Sequence, residues 1–435
     1  MEILEQIRNA GVVGAGGAGF PTHAKLNCQA EIVIANGAEC EPLLRVDQQL
    51  MQYNAKEILY GLQSAMKATG AKLGVIALKK HYGDAVHALK KVLVGVPDIQ
   101  LHLMRSYYPA GDEQQIVYEV TGRVVPTGGL PLDVGVVVDN VGTLLNVAMA
   151  RRRVPTTDKY VTVGGAVNKP CTVRVAIGTN AQELIQFAGG TTEECDYIIG
   201  GPCMGQVVGS LDFPITKTTG GLIAIPKNHA LLAMKSTSQN LKLIQAACCQ
   251  CSFCTQMCPR NALGLNVTPH KIMRTIGQGI NLIENINGIF SCCDCGICTY
   301  QACNFGLKPH HIMRQVKAEL VKAGIEAQKE VYGPVDPAIE MKRLPTSRLI
   351  SRLGIEEYNV SAPLCEERIE VKQVRIPLKM HVGKPSNPIV KSGQGILRGD
   401  LIADIPEGSL GAKIHASIDG IITDITGEYI EIKVK

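Results

Sequence analysis

The sequence predicts a multidomain α/β protein with a helical, cysteine-rich module past its middle and a small β domain at its end. Three observations predict it. The chain has 435 residues, about three times the usual single-domain length, so several cores are expected. Residues 30 to 150 alternate strand-like and helix-like stretches, the pattern of a layered α/β domain. Ten of the 16 cysteines fall between Cys248 and Cys303, which concentrates thiol chemistry in one module.

Composition narrows the function. Lys plus Arg is 44 against 39 for Asp plus Glu, a net charge of +5, so there is no polyanion-binding signal. Aromatics are 4% with no Trp, which offers single-stranded nucleic acid no stacking platform. The one basic run, Arg151-Arg152-Arg153, ends a helix-like segment, where cations offset the macrodipole. No apolar run reaches the roughly 18 residues of a membrane span, and Met1 to Arg8 carries acids where a signal peptide would carry a basic start. The expectation is a cytoplasmic protein with no nucleic-acid partner and no membrane span. There, cysteine excess points to metal or redox chemistry rather than a disulfide scaffold.

The elements follow in order. Ile3 to Asn9 reads as a helix and leads into Gly14-Ala15-Gly16-Gly17-Ala18-Gly19-Phe20-Pro21-Thr22. Glycines 14, 16 and 19 satisfy GxGxxG, but the dinucleotide fingerprint follows a strand and opens a helix, and neither holds here. What remains is a glycine-rich loop whose free N–H groups suit a phosphate or a structural turn equally. Strands at Glu31 to Ala35, Lys72 to Leu78, Ile99 to Met104 and Val134 to Val138 then alternate with helices. Those helices are Val46 to Ala68, Ala85 to Val94, Glu113 to Val120 and Val141 to Ala150. Taken singly, Asn36 and Asn140 read as turn or cap residues, and Glu39 and Glu113 as solvated charges.

Residues 159 to 210 hold a strand and turn over Val161 to Pro170, a strand over Thr172 to Ile177 and a helix near Gln182 to Phe187. Cys171, Cys195 and Cys203 have no ligand spacing there and read as buried thiols.

Cys248, Cys251, Cys254 and Cys258 follow C-x2-C-x2-C-x3-C with Pro259 after, and Cys292, Cys295, Cys298 and Cys303 repeat it with one extra residue in the last gap. Three thiolates on a tight loop reach three irons of one cubane, and the remote fourth ligates the other cluster in two-cluster ferredoxins. By that rule Cys248, Cys251, Cys254 and Cys303 hold one [4Fe-4S] centre, and Cys292, Cys295, Cys298 and Cys258 the second. Zinc sites pair two-cysteine knuckles instead. Cys249 and Cys293 break the register and read as neighbouring thiols. Pro269-His270-Lys271-Ile272-Met273-Arg274 recurs as Pro309-His310-His311-Ile312-Met313-Arg314, so each cluster loop feeds a helix with Ile and Met inward. His270 and His310 are then helix-start residues rather than ligands. Arg260, Lys271, Arg274 and Arg314 are expected to offset cluster charge. Residues 326–370, rich in charge and proline, read as a linker with short helices. Residues 371–435, with short strands and regular Gly and Pro, read as a small barrel.

Four blocks carry a resemblance. Gly14 to Thr22, Asn36 to Pro42, Tyr108 to Glu113 and Val138 to Thr143 resemble, in that order, the FMN- and NADH-binding subunit of respiratory complex I and the C subunit of Rnf complexes. The resemblance implies a complex I flavin-subunit-like α/β domain over 1–155. Gly14, Gly16 and Lys25 would lie on the flavin phosphate side, with Gly17 in the same loop. Asn36, Glu39, Asn140 and Thr143 would contact the flavin. Tyr108, Gly111, Asp112 and Glu113 would frame flavin and nicotinamide, and Phe20 would lie beside NADH. Ala15 stands where complex I carries Arg, Ala38 where it carries Asp and Asp139 where it carries Asn. The first two remove polar groups and bear on NADH affinity more than on flavin.

The same families imply a soluble-ligand-binding β-grasp (SLBB) domain over 156–225, as scaffold or ligand binder. A helical two-cluster ferredoxin domain would span 240–325. The C-terminal module resembles a biotinyl/lipoyl-like barrel-sandwich fold. Its hairpin tip, Ile405 to Leu410, lacks a lysine, and Lys413 lacks the flanking residues of a modified one, so a docking or packing role is expected. In the Rnf C subunit the barrel precedes the flavin domain, whereas here it follows the clusters. That order, with a second cysteine motif ending Ala302-Cys303-Asn304, resembles the PduS-type cobalamin reductases of bacterial microcompartments over essentially the whole chain. It implies electron flow from NADH through FMN and the two [4Fe-4S] clusters to cobalamin. A corrinoid adenosyltransferase and a microcompartment shell protein would be the partners, inside a microcompartment. Two alternatives stand beside it. One is a relay to a protein partner such as a glycyl-radical activase or a proline-reductase-type system; the other is a cluster-bearing adaptor without NADH oxidation.

Overall fold

The computed structural model describes residues 2–17, 19–236, 241–277, 286–330, 333–365 and 367–435. Strands β1 (Ile32–Gly37), β2 (Leu73–Lys79), β3 (Ile99–Met104) and β5 (Val136–Asn140) form one parallel sheet in the order β3-β2-β1-β5, and β4 (Tyr107–Tyr108) lies apart from it. Their Val, Ile and Ala runs are buried on both faces, as a covered parallel sheet requires. Val33, Ala35, Ile76 and Val137 face helices Ala55–Thr69 and Val141–Arg151, while Ile34, Val75, Ala77 and Val138 face helix Glu113–Thr121. The helix expected over Val46 to Ala68 is two, Val46–Tyr53 and Ala55–Thr69, because Asn54 leaves helical geometry at φ −122° and ψ 30°. Asparagine favours such a junction because its side chain competes for backbone hydrogen bonds.

Strands β6 (Asp158–Gly165), β7 (Cys171–Ala176), β8 (Cys195–Ile199), β9 (Gln206–Val208) and β10 (Gly221–Pro226) make a second sheet, ordered β7-β6-β10-β8-β9. Only β6 and β10 pair in parallel. Helix Ala181–Phe187 covers it through Leu184 and Ile185. Cys171, Cys195 and Cys203 are buried as expected.

The cysteine-rich module is built of short helices around Ile272, Met273, Ile312 and Met313, the inward pairs of the duplicated segment. The segment beyond it is more than a connector. Its β11 (Leu344–Pro345) pairs antiparallel with β4, and helix Thr346–Leu353 buries Leu349, Ile350 and Leu353 against Tyr108, Ile198, Ile223 and Tyr300. That core draws on three modules at once. Its apolar stripe is only eight residues long and interrupted by Arg348 and Arg352, too short for its period to stand out from charge.

The C-terminal module has β12 (Gln373–Pro377), β13 (Asn387–Pro388), β14 (Gly395–Ile396), β15 (Leu401–Asp404), β16 (Ile414–His415), β17 (Gly420–Ile425) and β18 (Tyr429–Lys433). They form two sheets, β12-β18-β17-β14 and β13-β15-β16, around an isoleucine-rich core. The module is fastened to the second sheet where Arg174, Arg368 and Arg398 converge on Asp158. Among the described residues no helix is long and apolar enough to cross a membrane.

Candidate functional site

From β1 the sheet continues to β2 on one side and to β5 on the other. The carboxyl ends of β1 and β5 therefore flank a topological switch point, where open α/β sheets bind ligands. Asn36 ends up at one lip and Asn140 at the other. Asn36 Nδ2 donates to the Gly111 carbonyl at 2.9 Å, and Asn140 Oδ1 accepts from Gly142 N at 2.8 Å, capping helix Val141–Arg151. The glycine-rich loop closes the crevice from above. A Cβ on Gly16 would lie 3.3 Å from Asn140 Cβ, and Ala15 N donates to Thr143 Oγ1 at 2.8 Å. Gly17, at φ +135°, has open space where its Cβ would be. Gly14 N binds the Phe20 carbonyl at 2.9 Å, and Phe20 itself is exposed.

Lys25 Nζ reaches into the lip between the Val138 carbonyl at 2.5 Å and Glu113 Oε1 at 2.9 Å. Burial works against its charge, but Asp139 and then Glu113 more than restore it, so its pKa is above the usual lysine value. Asp139 itself is pushed up to about 6 by burial, Lys25 opposing. A half-buried cation, a capped helix N-terminus and a loop of small residues fit a phosphate-bearing planar cofactor.

Three residues expected at the cofactor are otherwise engaged. The Glu39 carboxylate accepts from Asp47 N at 3.0 Å and from Gln48 Nε2 at 3.1 Å, which ties down the start of helix Val46–Tyr53. The Tyr108 hydroxyl donates to the Cys295 carbonyl at 2.7 Å and also meets Glu41 Oε1 at 3.3 Å. Asp112 caps helix Glu113–Thr121 and takes Arg260 on both oxygens, at 2.7 and 2.6 Å. The physical reason is position. Tyr108 and Asp112 sit where the first domain closes on the cysteine-rich module, Glu39 lies buried within the first domain, and a buried hydroxyl or carboxylate must find a partner in either place.

On the other side of that closure are the cysteines. Cys248, Cys251, Cys254 and Cys303 line one cavity of about 50 Å³, together with Cys249, His270, Met273 and Phe305. Burial, and after it the neighbouring Cys303 from the second motif, push the Cys254 thiol up to about 12. Burial likewise raises Cys258, and there the neighbouring thiol is Cys292. The fourth cysteine of each motif thus stands with the other motif's triplet. Among the described residues no three His, Cys, Asp or Glu side chains converge on a point small enough for a single ion; the first set surrounds a larger space. The sets differ in depth. Cys251 is exposed, whereas Cys258, Cys295 and Cys298 are buried behind Tyr108 and Arg260.

Both histidines are held by threonines. His270 Nδ1 lies 2.6 Å from Thr255 Oγ1, and His310 Nδ1 lies 3.2 Å from Thr299 Oγ1. Arg260 and Arg314, expected to balance cluster charge, are already matched by Asp112 and Asp294. Lys317, which no sequence motif singles out, places its ammonium 3.3 Å from the Cys292 carbonyl.

Four family matches coincide with these modules. Residues 7–149 match the Nuo51 FMN-binding domain, 160–207 the SLBB domain, 247–308 the 4Fe-4S dicluster domain and 360–433 the RnfC barrel sandwich hybrid domain. Over the whole length, the chain is 44% identical to the "Cobalamin reductase PduS" of Salmonella typhimurium, covering 99% of this chain and 96% of that one. The chain belongs to the PduS-type cobalamin reductase family. The Citrobacter freundii protein of the same name is 42% identical over the same shares. The C subunit of a Na(+)-translocating ferredoxin:NAD(+) oxidoreductase complex from Acetobacterium woodii is 36% identical over 62% of this chain and 60% of its own. This PduS-type chain is therefore an oxidoreductase with an FMN-binding domain and a 4Fe-4S dicluster domain.

Two features of this PduS-type chain lie outside what its sequence predicts. Thr255 and Thr299 each directly follow the third cysteine of their motif, so the duplication did contain a signal for the threonine–histidine pairs. The other is the knot around Glu41, whose carboxylate takes Cys203 N at 2.7 Å and Met204 N at 3.0 Å. Tyr300 and Lys235 both donate to the Cys203 carbonyl, each at 2.9 Å. These residues are far apart in sequence and share no spacing rule.

Proposed function

We propose that the chain is a cobalamin reductase that takes electrons from NADH, uses FMN to separate the pair, and delivers them singly through two [4Fe-4S] clusters to cobalamin. The acceptor rests on whole-length kinship with the Salmonella and Citrobacter proteins. The route rests on one observation, the joining of the crevice domain to the inner cysteines by Tyr108 and by the Asp112–Arg260 pair.

Gly14, Gly16, Gly17 and Lys25 would hold the phosphate side of FMN, and Asn36, Asn140 and Thr143 its remaining polar edge. Gly111, Glu113 and the exposed Phe20 would face the nicotinamide, with Glu39, Tyr108 and Asp112 supporting from behind. Bound FMN supplies the exchange between a two-electron hydride donor and one-electron centres. Cys258, Cys292, Cys295 and Cys298 would hold the inner cluster, and Cys248, Cys251, Cys254 and Cys303 the outer one. Tyr108 and Arg260 exclude water between crevice and inner cysteines, and the exposure of Cys251 makes the outer set the exit. A corrinoid adenosyltransferase as recipient, a shell protein as neighbour and a microcompartment as location complete the reading.

Protein purified without oxygen should show flavin bands above broad cluster absorbance, bleach with NADH, and then reduce cob(III)alamin to cob(II)alamin or cob(I)alamin. Clusters without flavin, or a flavin that NADH cannot bleach, would favour the adaptor. Bleaching without cobalamin reduction would favour a relay to a protein partner.

A further inference from the structure

The second domain does more than flank the crevice. Lys159, on β6, is buried at 7% exposure, and its Nζ donates to the Ala15 carbonyl at 2.9 Å. It therefore holds the carbonyl of the same loop residue whose amide is held by Thr143. An ammonium has three N–H donors, and Ala15 uses one. Lys159 has no ion-pair partner within 4.0 Å among the described residues. The carboxylate that acts on it is Asp47, held 2.9 Å from Asn140 Nδ2. Burial pushes Lys159 down to about 8, with Asp47 pulling it back. A buried charge of this kind is stable only with a counter-charge. Phosphate is the anion that a glycine-rich loop at a helix N-terminus admits.

We propose that Lys159 is a phosphate-binding residue lent to the flavin site by the β-grasp domain, supplying with Lys25 the positive charge opposite the phosphate of FMN. The barrel helps to hold the same loop, since Val382 N donates to the Gly19 carbonyl at 3.0 Å. The β-grasp domain is then part of the cofactor site, and its lysine distinguishes FMN from unphosphorylated riboflavin. This inference rests on the crevice being the FMN site.

The test compares FMN and riboflavin binding by flavin fluorescence quenching. It uses the full chain with its clusters, freed of flavin by dialysis. Lys159→Met should raise the FMN dissociation constant at least tenfold while changing that of riboflavin less than twofold, and Lys159→Arg should keep most FMN affinity. Unchanged FMN affinity in Lys159→Met, or equal losses for FMN and riboflavin, would overturn the proposal. If Lys159→Met does not fold, Lys159→Gln, which keeps an N–H donor for the Ala15 carbonyl, carries the same comparison. Wild-type protein that binds neither flavin would instead refute the crevice as the FMN site.

Discussion

Arg260 illustrates how a single residue changes meaning between sequence and structure. Beside a cysteine motif it looks like a cation that tunes cluster charge. In the folded chain its guanidinium is spent on Asp112, with side-chain exposures of 11% and 8% for the two partners. A bidentate pair of this kind fixes geometry as well as charge. Breaking it leaves a buried carboxylate alone, which costs on the order of 3–5 kcal/mol, whereas removing both charges costs far less. Arg260→Met should therefore lower the unfolding free energy of the anaerobic holoprotein by about that amount. Adding Asp112→Asn should recover much of the loss. A double variant no more stable than the single one would show that the pair carries no coupled role, and the melting series in denaturant reads this directly.

At the scale of elements, the crevice depends on how closely helices Ala55–Thr69 and Val141–Arg151 cross. Gly61 sets that approach, because a Cβ there would lie 1.9 Å from the Leu144 carbonyl oxygen. Alanine gains about 1 kcal/mol over glycine in a helix interior. A clash with backbone cannot be relieved by a rotamer change, and overpacking typically costs about 1–3 kcal/mol. Gly61→Ala should thus be destabilising on balance and should weaken FMN binding, because Asn140 and Thr143 ride on the displaced helix. A more stable variant with unchanged FMN affinity would reject this. The strands and helices of this domain were legible because buried parallel strands are continuous apolar runs, and the cysteine spacing was legible because cluster chemistry fixes it locally. Helix Thr346–Leu353 and the Glu41 knot were not, because their partners come from three modules and only tertiary packing brings them together. Tyr108 and Asp112 were legible as important residues but not as residues whose polar atoms serve the domain closure, nor Glu39 as the carboxylate that ties down helix Val46–Tyr53.

The whole molecule is held together at points where one buried polar side chain serves several modules. Lys217 is the clearest: it lies before β10, is 3% exposed, and donates to the Gly11 carbonyl at 2.6 Å and the Lys413 carbonyl at 2.8 Å. One ammonium thus ties the first domain and the barrel to the second. Gly11, at φ +64°, is required there, since a Cβ would lie 2.1 Å from the Lys413 carbonyl oxygen. Among the described residues no carboxylate compensates the charge, and burial pushes Lys217 down to about 7 from its usual 10.5. The sign of the pH dependence follows. Between about pH 7 and 10.5 the unfolded chain holds a proton on this lysine that the folded chain lacks, so stability rises with pH across that window. Below pH 7 both states are protonated and the slope vanishes. One proton corresponds to about 1.4 kcal/mol per pH unit. Lys217→Met removes the term, so wild type should gain on the variant by about that slope as pH rises from 7.5 to 9.5. Unfolding free energies from denaturant titrations at several pH values measure the difference, in which all other titrating groups cancel. Parallel pH profiles for the two proteins would mean that the two carbonyls keep Lys217 charged in the folded state. The three-module tie would then be an ordinary ammonium clamp rather than a pH-dependent one.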